Sequence, residues 1–398
     1  MTALPAVVLQ QGRERPARGR HPWVFSGAIA RIDGQPEDGD EVDVLALDGS
    51  FVARGLFNSK SQIRVRLYTW DAGERITEAF VAGRLDAAIG LRRSLGLIRP
   101  DGGCRLVFSE GDGISGLVVD GYRDLLSMQL TSLALGKRRE LLLDLLEERL
   151  RPAGVLLRTE KGMLEEEGLE ATDGPLRGTA PEEPVPVVEN GLTFLVDLRT
   201  GQKTGYFLDQ RENRRAITPF AARRSVADLF CYTGGFTLPC LRAGAASVAA
   251  VDMSERAIGL ARANASANGL DDGRVSFEVS DAFKWLEARV AEGARFDMIV
   301  LDPPRFARSG RGVASALRGY HGLNDLAVRC LNPGGVLVTC SCTGRVTREM
   351  FGHVLAQVEV TTGRRIRILE SRGQAADHPV SPTCPETAYL KCLVCAVE

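Results

Sequence analysis

No apolar run in this 398-residue chain reaches the roughly 18 residues that a membrane-crossing helix needs, so a helical anchor is not expected. The opening stretch, Met1 to Arg20, lacks the apolar core of a secretory signal and turns arginine-rich instead, which points to the cytoplasm. Net charge is only −1, so bulk charge gives no pointer to nucleic acid and any basic surface must be local. The four histidines, His21, His321, His353 and His378, are scattered. There is no internal repeat and no low-complexity tract. Nine cysteines is an odd number, and eight of them lie from Cys231 onward, with Cys104 alone upstream. A disulfide framework is not expected in a cytoplasmic chain of this size. Cys392-Leu-Val-Cys395 has CxxC spacing, but it sits in the apolar run Tyr389–Val397 without a second ligand pair. It reads as a core strand, and no metal site is expected.

What is present is ordinary globular composition, 44% hydrophobic and 25% charged, at a length that suits two or three domains. Residues 1–72 carry strand-like patterns, Val42–Leu47 and Gln62–Tyr68 among them, separated by Gly/Asp turns. Ile76–Leu95 has helical periodicity. Gly116–Val119 and Leu125–Leu130 read as strands joined through Asp120-Gly121. Lys137–Leu150 is helical and is closed by Pro152. Residues 171–186 read as a loop or linker. Val187-Val188 and Leu192–Val196 form a hairpin across Asn190-Gly191. From Ser225 strands alternate with helices: Val226–Phe230, Ser247–Val251, Val275–Val279, Phe296–Leu301 and Gly335–Cys340 are the strands. The helices between them are Phe236–Ala243, Ser254–Asn268, Asp281–Glu292 and Gly322–Leu331. Alternation of this kind predicts a parallel, doubly wound sheet. The expected organisation is residues 1–72, a central α+β region 73–186, and a Rossmann-like region 187–398.

Open α/β sheets bind ligands at the carboxyl ends of their strands, and that is where the chemistry-bearing residues fall. Asp228-Leu-Phe-Cys-Tyr-Thr-Gly-Gly-Phe236 ends one strand and opens a helix. A dinucleotide enzyme would carry G-x-G-x-x-G there to close on a pyrophosphate. Gly234-Gly235 instead suits a ligand without phosphates, and S-adenosylmethionine is one whose carboxylate can use the helix N-terminus. Asp228, Phe230, Tyr232, Thr233 and Gly234 are the expected cofactor residues of this turn. Asp252 ends the next strand, where a carboxylate accepts ribose hydroxyls. Asp281 follows the third strand and suits an adenine amino group. Each of these two acids also has a plain reading as a helix cap.

Asp302-Pro-Pro-Arg-Phe306 follows the fourth strand. Its prolines hold the backbone extended and can present Asp302 to a flat base and to the cofactor. Thr339-Cys-Ser-Cys-Thr343 ends the fifth. Carbon 5 of cytosine is a poor nucleophile, and a thiolate adding at carbon 6 activates it. Asp302 could share a proton near ring N3 if burial raises its pKa. The plain reading of either cysteine is packing. Two arginine clusters are candidate RNA contacts: Arg13, Arg15, Arg18 and Arg20, and Arg211, Arg214, Arg215, Arg223 and Arg224.

The stretch Leu198-Arg-Thr-Gly-Gln-Lys-Thr-Gly-Tyr-Phe-Leu-Asp-Gln-Arg-Glu-Asn-Arg214, with Asp302-Pro-Pro, Arg318-Gly-Tyr320, Ser341-Cys-Thr343 and Gln374-Ala-Ala-Asp-His-Pro-Val380, closely resembles the RlmI-type methyltransferases of large-subunit ribosomal RNA. The resemblance runs essentially end to end. Gly19-Arg-His-Pro-Trp-Val-Phe25 resembles the opening of that family's RNA-binding PUA domain, and Ser109–Asp120 resembles its middle domain. The resemblance implies 5-methylcytosine formation in 23S rRNA from S-adenosylmethionine, with Cys342 as nucleophile and Asp302 beside it. Thr339-Cys340-Ser341 also fits the form carried by other cytosine-C5 RNA methyltransferases, so Cys340 stays open as the alternative. Pro304 stands where such enzymes have a second cysteine, which leaves the final base unassigned. The loop after Phe306 is shorter than in some relatives. Gly205–Gln210 is expected to fold over the cofactor or the base. A homodimer is compatible with the resemblance. Two rival functions share the fold: guanine methylation at N7 or N2, which needs no cysteine, and RNA binding without catalysis.

Overall fold

The computed structural model describes residues 4–306 and 312–398. The chain divides into two compact units, the first comprising Met1–Val187, Val196–Leu208 and Asp377–Thr387 and the second comprising Val188–Leu195, Asp209–Ala376 and Ala388–Glu398.

The first unit opens with six strands: β1 (Ala6–Leu9), β2 (Trp23–Phe25), β3 (Ile29–Asp33), β4 (Glu41–Leu45), β5 (Phe51–Phe57) and β6 (Ile63–Thr69), with the short helix α1 (Arg15–Arg18) between the first two. They form one sheet in the order β2-β6-β5-β4-β1-β3. Alternation sets its inner face: Val42 and Val44 of β4 and Val7 and Leu9 of β1 point into a core shared with Val65 and Leu67. Gly55 is required where β5 meets β6, because a Cβ there would lie 2.3 Å from the Arg66 carbonyl oxygen.

A second sheet follows α2 (Glu78–Ser94), in the order β11-β10-β9-β8-β7. Its strands are β7 (Gly103–Phe108), β8 (Leu117–Tyr122), β9 (Leu125–Leu130), β10 (Gly154–Leu157) and β11 (Gly174–Gly178). The helices α3 (Leu133–Gly136), α4 (Arg139–Leu150) and α5 (Lys161–Glu167) lie along this stretch. Two expectations fail here. Asp120-Gly121 is not the hairpin turn but lies inside β8, and the chain reverses at Arg123-Asp124, with Arg123 at φ 58°. Asp120 is wholly buried and holds Arg105 through two hydrogen bonds of 2.5 and 2.7 Å, so its polarity signals a buried ion pair. Residues 171–186 are not all loop either, since Gly174–Gly178 pairs with β10 despite its glycines and proline. Gly174 and Pro175 sit at the strand's start on the sheet edge, where a missing N–H is tolerated.

The strands β12 (Val185–Glu189) and β13 (Leu192–Val196) form the expected hairpin. Asn190 and Gly191 both have positive φ, 51° and 77°, as a tight hairpin turn demands.

The second unit is built on a seven-stranded sheet in the order β16-β15-β14-β17-β18-β20-β19. Its strands are β14 (Ser225–Leu229), β15 (Ser247–Asp252), β16 (Val275–Val279), β17 (Phe296–Leu301), β18 (Leu331–Ser341), β19 (Ile366–Arg372) and β20 (Lys391–Val397). Its helices are α6 (Arg211–Ala216), α7 (Thr237–Arg242), α8 (Glu255–Ala267), α9 (Ala282–Ala291), α10 (Val313–Arg329) and α11 (Arg348–Thr362). The alternation read from Ser225 onward forms as expected through β18. The sheet is not wholly parallel, however, because β20 runs antiparallel to both β18 and β19. Helix α10 begins nine residues before the expected Gly322. Caps fix the helix starts: the Ser254 side chain accepts from the Ala257 N–H and the Thr347 side chain from the Met350 N–H. Tyr389–Val397 contains a core strand, with Cys392 and Cys395 both wholly buried. Successive strands step from β14 to β15 and β16 on one side and to β17 and β18 on the other. The switch in direction therefore falls between β14 and β17, where such folds place a ligand.

Candidate active site

The loop after β14 has an unusual backbone. Phe230, Tyr232 and Gly234 all have positive φ, 62°, 49° and 85°. Left-handed aromatic residues are strained, and strain of this kind persists where the surroundings hold a particular loop shape. What holds it here is visible. The Tyr232 N–H donates to Asp252 Oδ2 at 3.0 Å, and the Ser254 N–H donates to Asp252 Oδ1 at 2.9 Å. The Thr233 carbonyl accepts from the buried Asn264 amide at 2.9 Å. Gly234 needs its missing side chain, since a Cβ would lie 2.6 Å from Leu238. Asp252 thus secures the loop and the entrance to α8 while remaining half-buried.

Asp228 is wholly buried near the end of β14. Its Oδ2 accepts from the Thr237 hydroxyl at 2.6 Å, and its Oδ1 has no hydrogen-bond partner among the described residues. Burial first, and then the charges of Asp302 and Asp252, push its carboxyl up to about 7. An unsatisfied buried oxygen beside two other carboxylates makes this strand end electronegative. That suits a cationic ligand, and S-adenosylmethionine carries both an ammonium and a sulfonium. Asp281 is exposed and caps α9, its Oδ1 accepting from the Lys284 N–H at 3.0 Å.

Asp302 follows β17, half-buried, and its Oδ1 accepts from the Gln210 side-chain amide at 2.9 Å. Gln210 is buried and is itself fixed by the Asn213 amide, which donates to its Oε1 at 2.6 Å. Gln210 lies in the Gly205–Gln210 stretch, and its contact with Asp302 could not be read from sequence. The loop after Phe306, residues 307–311, lies outside the described residues.

The nine cysteines all lie among the described residues. Eight are buried and only Cys342 is partly exposed. Cys340 is held in β18 directly opposite Cys392 of β20, and its hydrogen bond with that neighbour, and then burial, push its thiol well up. Cys342 stands just past the end of β18, with its Sγ 3.8 Å from the Pro303 carbonyl oxygen. Two further residues frame it and were not foreseen. The Tyr320 hydroxyl pairs with Thr343 Oγ1 at 2.9 Å, and its burial pushes its pKa up to about 12. Lys391, at the start of β20, donates to the Thr343 carbonyl at 2.7 Å. Its signal was a lone cation opening the apolar run.

The second arginine cluster is divided, with Arg215 and Arg223 exposed and Arg214 buried. Arg214 is 3% exposed and donates through Nη1 to both Glu189 carboxylate oxygens at 3.0 Å. Arg224 donates to the Asp297 carbonyl, and Arg215 is paired with Glu212. In the first unit, Arg13, Arg15, Arg18 and Arg20 are exposed. A cleft of about 530 Å³ is lined by Arg13, His21, Trp23 and Phe25, and Phe25 is 47% exposed. His21, Cys384 and Glu386 bring three metal-type ligand atoms within 4.8 Å of one another. His21 Nδ1 accepts from the Trp23 N–H at 3.3 Å, which leaves the ring proton on Nε2, facing Glu386 at 3.3 Å. The group is satisfied as a hydrogen-bonded set.

Comparison with known proteins identifies the family. Residues 173–379 match the family model of S-adenosylmethionine-dependent methyltransferases, and residues 7–70 match a PUA-like domain. The chain is 42% identical over 390 residues to the ribosomal RNA large subunit methyltransferase I of Aeromonas salmonicida, covering 98% of both chains. It is 39% identical to the protein of that name from Erwinia tasmaniensis, covering 98% of this chain and 99% of the relative. Two solved structures share the fold over 98% of this chain and 99% of theirs. One is described as a putative methyltransferase complexed with SAH, with a TM-score of 0.86 at 20% identity; the other is described as a putative SAM-dependent methyltransferase from Streptococcus mutans, with a TM-score of 0.85 at 19% identity. The α/β fold with an N-terminal PUA-like domain is the one expected, the cofactor is S-adenosylmethionine, and the chain belongs to the ribosomal RNA large subunit methyltransferase I family.

Proposed function

We propose that the protein forms 5-methylcytosine in large-subunit (23S) ribosomal RNA through a covalent adduct of Cys342. The observation that carries the reading is the partial exposure of Cys342 alone among nine cysteines, at a strand end against the Asp302-Pro303 loop. The Cys342 thiolate adds to carbon 6 of the ring, and Asp302, steadied by Gln210, shares a proton at N3 as the ring gains electron density. Carbon 5 is thereby made nucleophilic. S-adenosylmethionine, when bound, supplies an electrophilic methyl group. Loss of the carbon-5 proton then expels the thiol and restores the aromatic ring.

The cofactor would be held by the strained turn, through Asp228, Phe230, Tyr232, Thr233 and Gly234, with Asp252, Asp281 and Asp302 along the same sheet edge. In this reading residues 1–72 serve as the RNA-binding PUA domain, 73–186 as a central domain and 187–398 as the methyltransferase domain. The arginines beside the Trp23–Phe25 cleft touch phosphate, and a splayed base can stack on the aromatics. The protein works in the cytoplasm, where its rRNA is made.

Mass spectrometry of nucleosides from digested rRNA, from cells with and without the protein, tests base and position together. One 5-methylcytosine should disappear with the protein. Loss of a methylguanine instead would overturn the reading, as would full activity in Cys342→Ala. A covalent complex with RNA containing 5-fluorocytosine should accumulate in the wild type and be absent in Cys342→Ala.

A further inference from the structure

Lys391 is 3% exposed, yet it carries an ammonium. Its Nζ donates to two backbone carbonyls, Thr343 at 2.7 Å and Tyr389 at 2.8 Å. No ion pair joins it to a carboxylate among the described residues. A buried cation satisfied only by neutral dipoles is costly, and such a group ordinarily pairs with an anion or gives up its proton. Burial lowers its pKa to about 8, and the charge of Cys342 is the influence that pushes it back up.

The placement is specific. Lys391 lies directly across the β18–β20 ladder from Ser341. Its ammonium is bonded to the carbonyl of Thr343. Cys342 is the residue between those two positions, and it is the partly exposed thiol. Two ionisable groups act directly on that thiol, Tyr320 on α10 and Lys391 at the start of β20. Asp302, after β17, acts on Tyr320, while Arg348, on α11, acts on Lys391, and Tyr389 lies just before β20. Asp302 as a carboxylate opposes a thiolate. Tyr320 stays neutral below pH 12 or so, because burial raises its pKa. Arg348 is a cation, but its guanidinium is engaged with Ser371 and with the Arg372 carbonyl. Lys391 is a buried cation bonded to the carbonyl of the residue that follows Cys342.

We propose that Lys391 is a positioning residue for the Cys342 thiol, its buried ammonium holding the sulfur as a thiolate so that it can add to the pyrimidine ring. The inference rests on the nucleophile assigned above. When the thiol ionises its proton passes to water, the S–H bond breaks, and the sulfur keeps the electron pair that later forms the bond to carbon 6. The same ammonium, fixed by two carbonyls, also holds the Thr343 backbone and with it the strand exit that carries Cys342.

The test is the rate of iodoacetamide alkylation at Cys342, followed by peptide mass spectrometry as a function of pH on the full-length protein. In the wild type the midpoint should fall below the ordinary thiol value of about 8.5. In Lys391→Met it should rise by about one unit or more, with alkylation at neutral pH slowed on the order of tenfold. Lys391→Arg should restore most of the shift. An unchanged midpoint in a folded Lys391→Met protein overturns the proposal. If that variant does not fold, the wild-type curve decides, since a midpoint at or above the ordinary value also overturns it. The readout is independent of methylation. Full methylation by Cys342→Ala would sink the proposed function while the titration still reported on Lys391.

Discussion

Cys340 and Cys342 are two residues apart on one chain segment and differ in almost everything that matters chemically. Cys340 is locked inside the sheet against Cys392, where burial keeps its thiol protonated. Cys342 has just left the sheet and is partly open. A thiolate, not a thiol, is the nucleophile, so under the proposed mechanism the end of the β18 ladder separates a packing residue from a reactive one. The contrast teaches that residue type proposes a function and burial decides it. The same sorting recurs in the arginines, with Arg214 buried on Glu189 and Arg13 exposed beside an aromatic cleft.

The hardest test of this contrast is to remove each sulfur in turn. Cys342→Ala should lower the methylation rate on the order of 10⁴-fold or more, as loss of a covalent nucleophile does. Cys340→Ala should leave the rate within a few-fold and instead cost about 1 kcal/mol of stability from the small cavity left behind. Single-turnover methylation and denaturant unfolding of both variants give the two readouts. A reversal of roles would break the comparison outright.

Asp228 sharpens it, since burial acts on this carboxyl with the same sign as on Cys340. Its folded pKa of about 7 lies above the ordinary carboxylate value of about 3.9, so the folded state prefers the protonated acid. The sign follows: the cost is absent below about pH 4, grows as pH rises towards 7, and is complete above that. A gap of about three units corresponds to something on the order of 4 kcal/mol. Asp228→Asn should therefore gain stability relative to the wild type between pH 4 and pH 8 in the cofactor-free protein. Thermal unfolding across that range measures it. The same variant should bind S-adenosylmethionine more weakly, by calorimetry, because the negative charge facing a cationic ligand is gone.

Much of this was legible in the sequence, and what was not has a common cause. Alternating apolar runs gave the strands from Val226 to Cys340 because buried parallel strands are nearly uniform in polarity and end at turn residues. Asp228, Asp252, Asp302 and Cys342 could be placed at strand ends for the same reason. The antiparallel course of β20 was not legible, since an apolar strand reads alike in either direction. Nor was the buried state of Asp120 or Arg214, because a polar residue shows no partner until the chain brings one from far away. Lys391 and the Asp302 contact of Gln210 were missed on that ground too: their meaning lies in contacts with Thr343 and Asp302, 48 and 92 positions distant.

Gln210 tests the comparison from the side of the partner. It is buried and bonded to the half-exposed Asp302, so its effect on activity should run mainly through that carboxylate. Gln210→Ala removes one hydrogen bond to a charged group, worth about 1.5–3 kcal/mol, and should slow methylation roughly 10–100-fold. The alkylation rate of Cys342 should stay unchanged. Equal losses in both would mean that Gln210 holds the whole site together instead of orienting one acid.

The smallest effect is expected from the open arginines. Arg13→Ala removes an exposed charge beside the Trp23–Phe25 cleft, and surface charge acts on RNA mainly by releasing counterions. Affinity for an rRNA fragment should fall only a few-fold, while the slope of log affinity against log salt should flatten by somewhat under one unit. Arg214→Ala should behave in the opposite way. It removes the guanidinium that pairs with the buried Glu189, which costs on the order of 3 kcal/mol of stability and, in protein that remains folded, leaves the salt slope unchanged. A titration series in salt with the two variants side by side separates a charge that meets the nucleic acid from one that only holds the fold. If Arg214 flattened the slope and Arg13 did not, burial would have sorted the arginines wrongly, and the inference from exposure to function would have to be withdrawn for the cysteines as well.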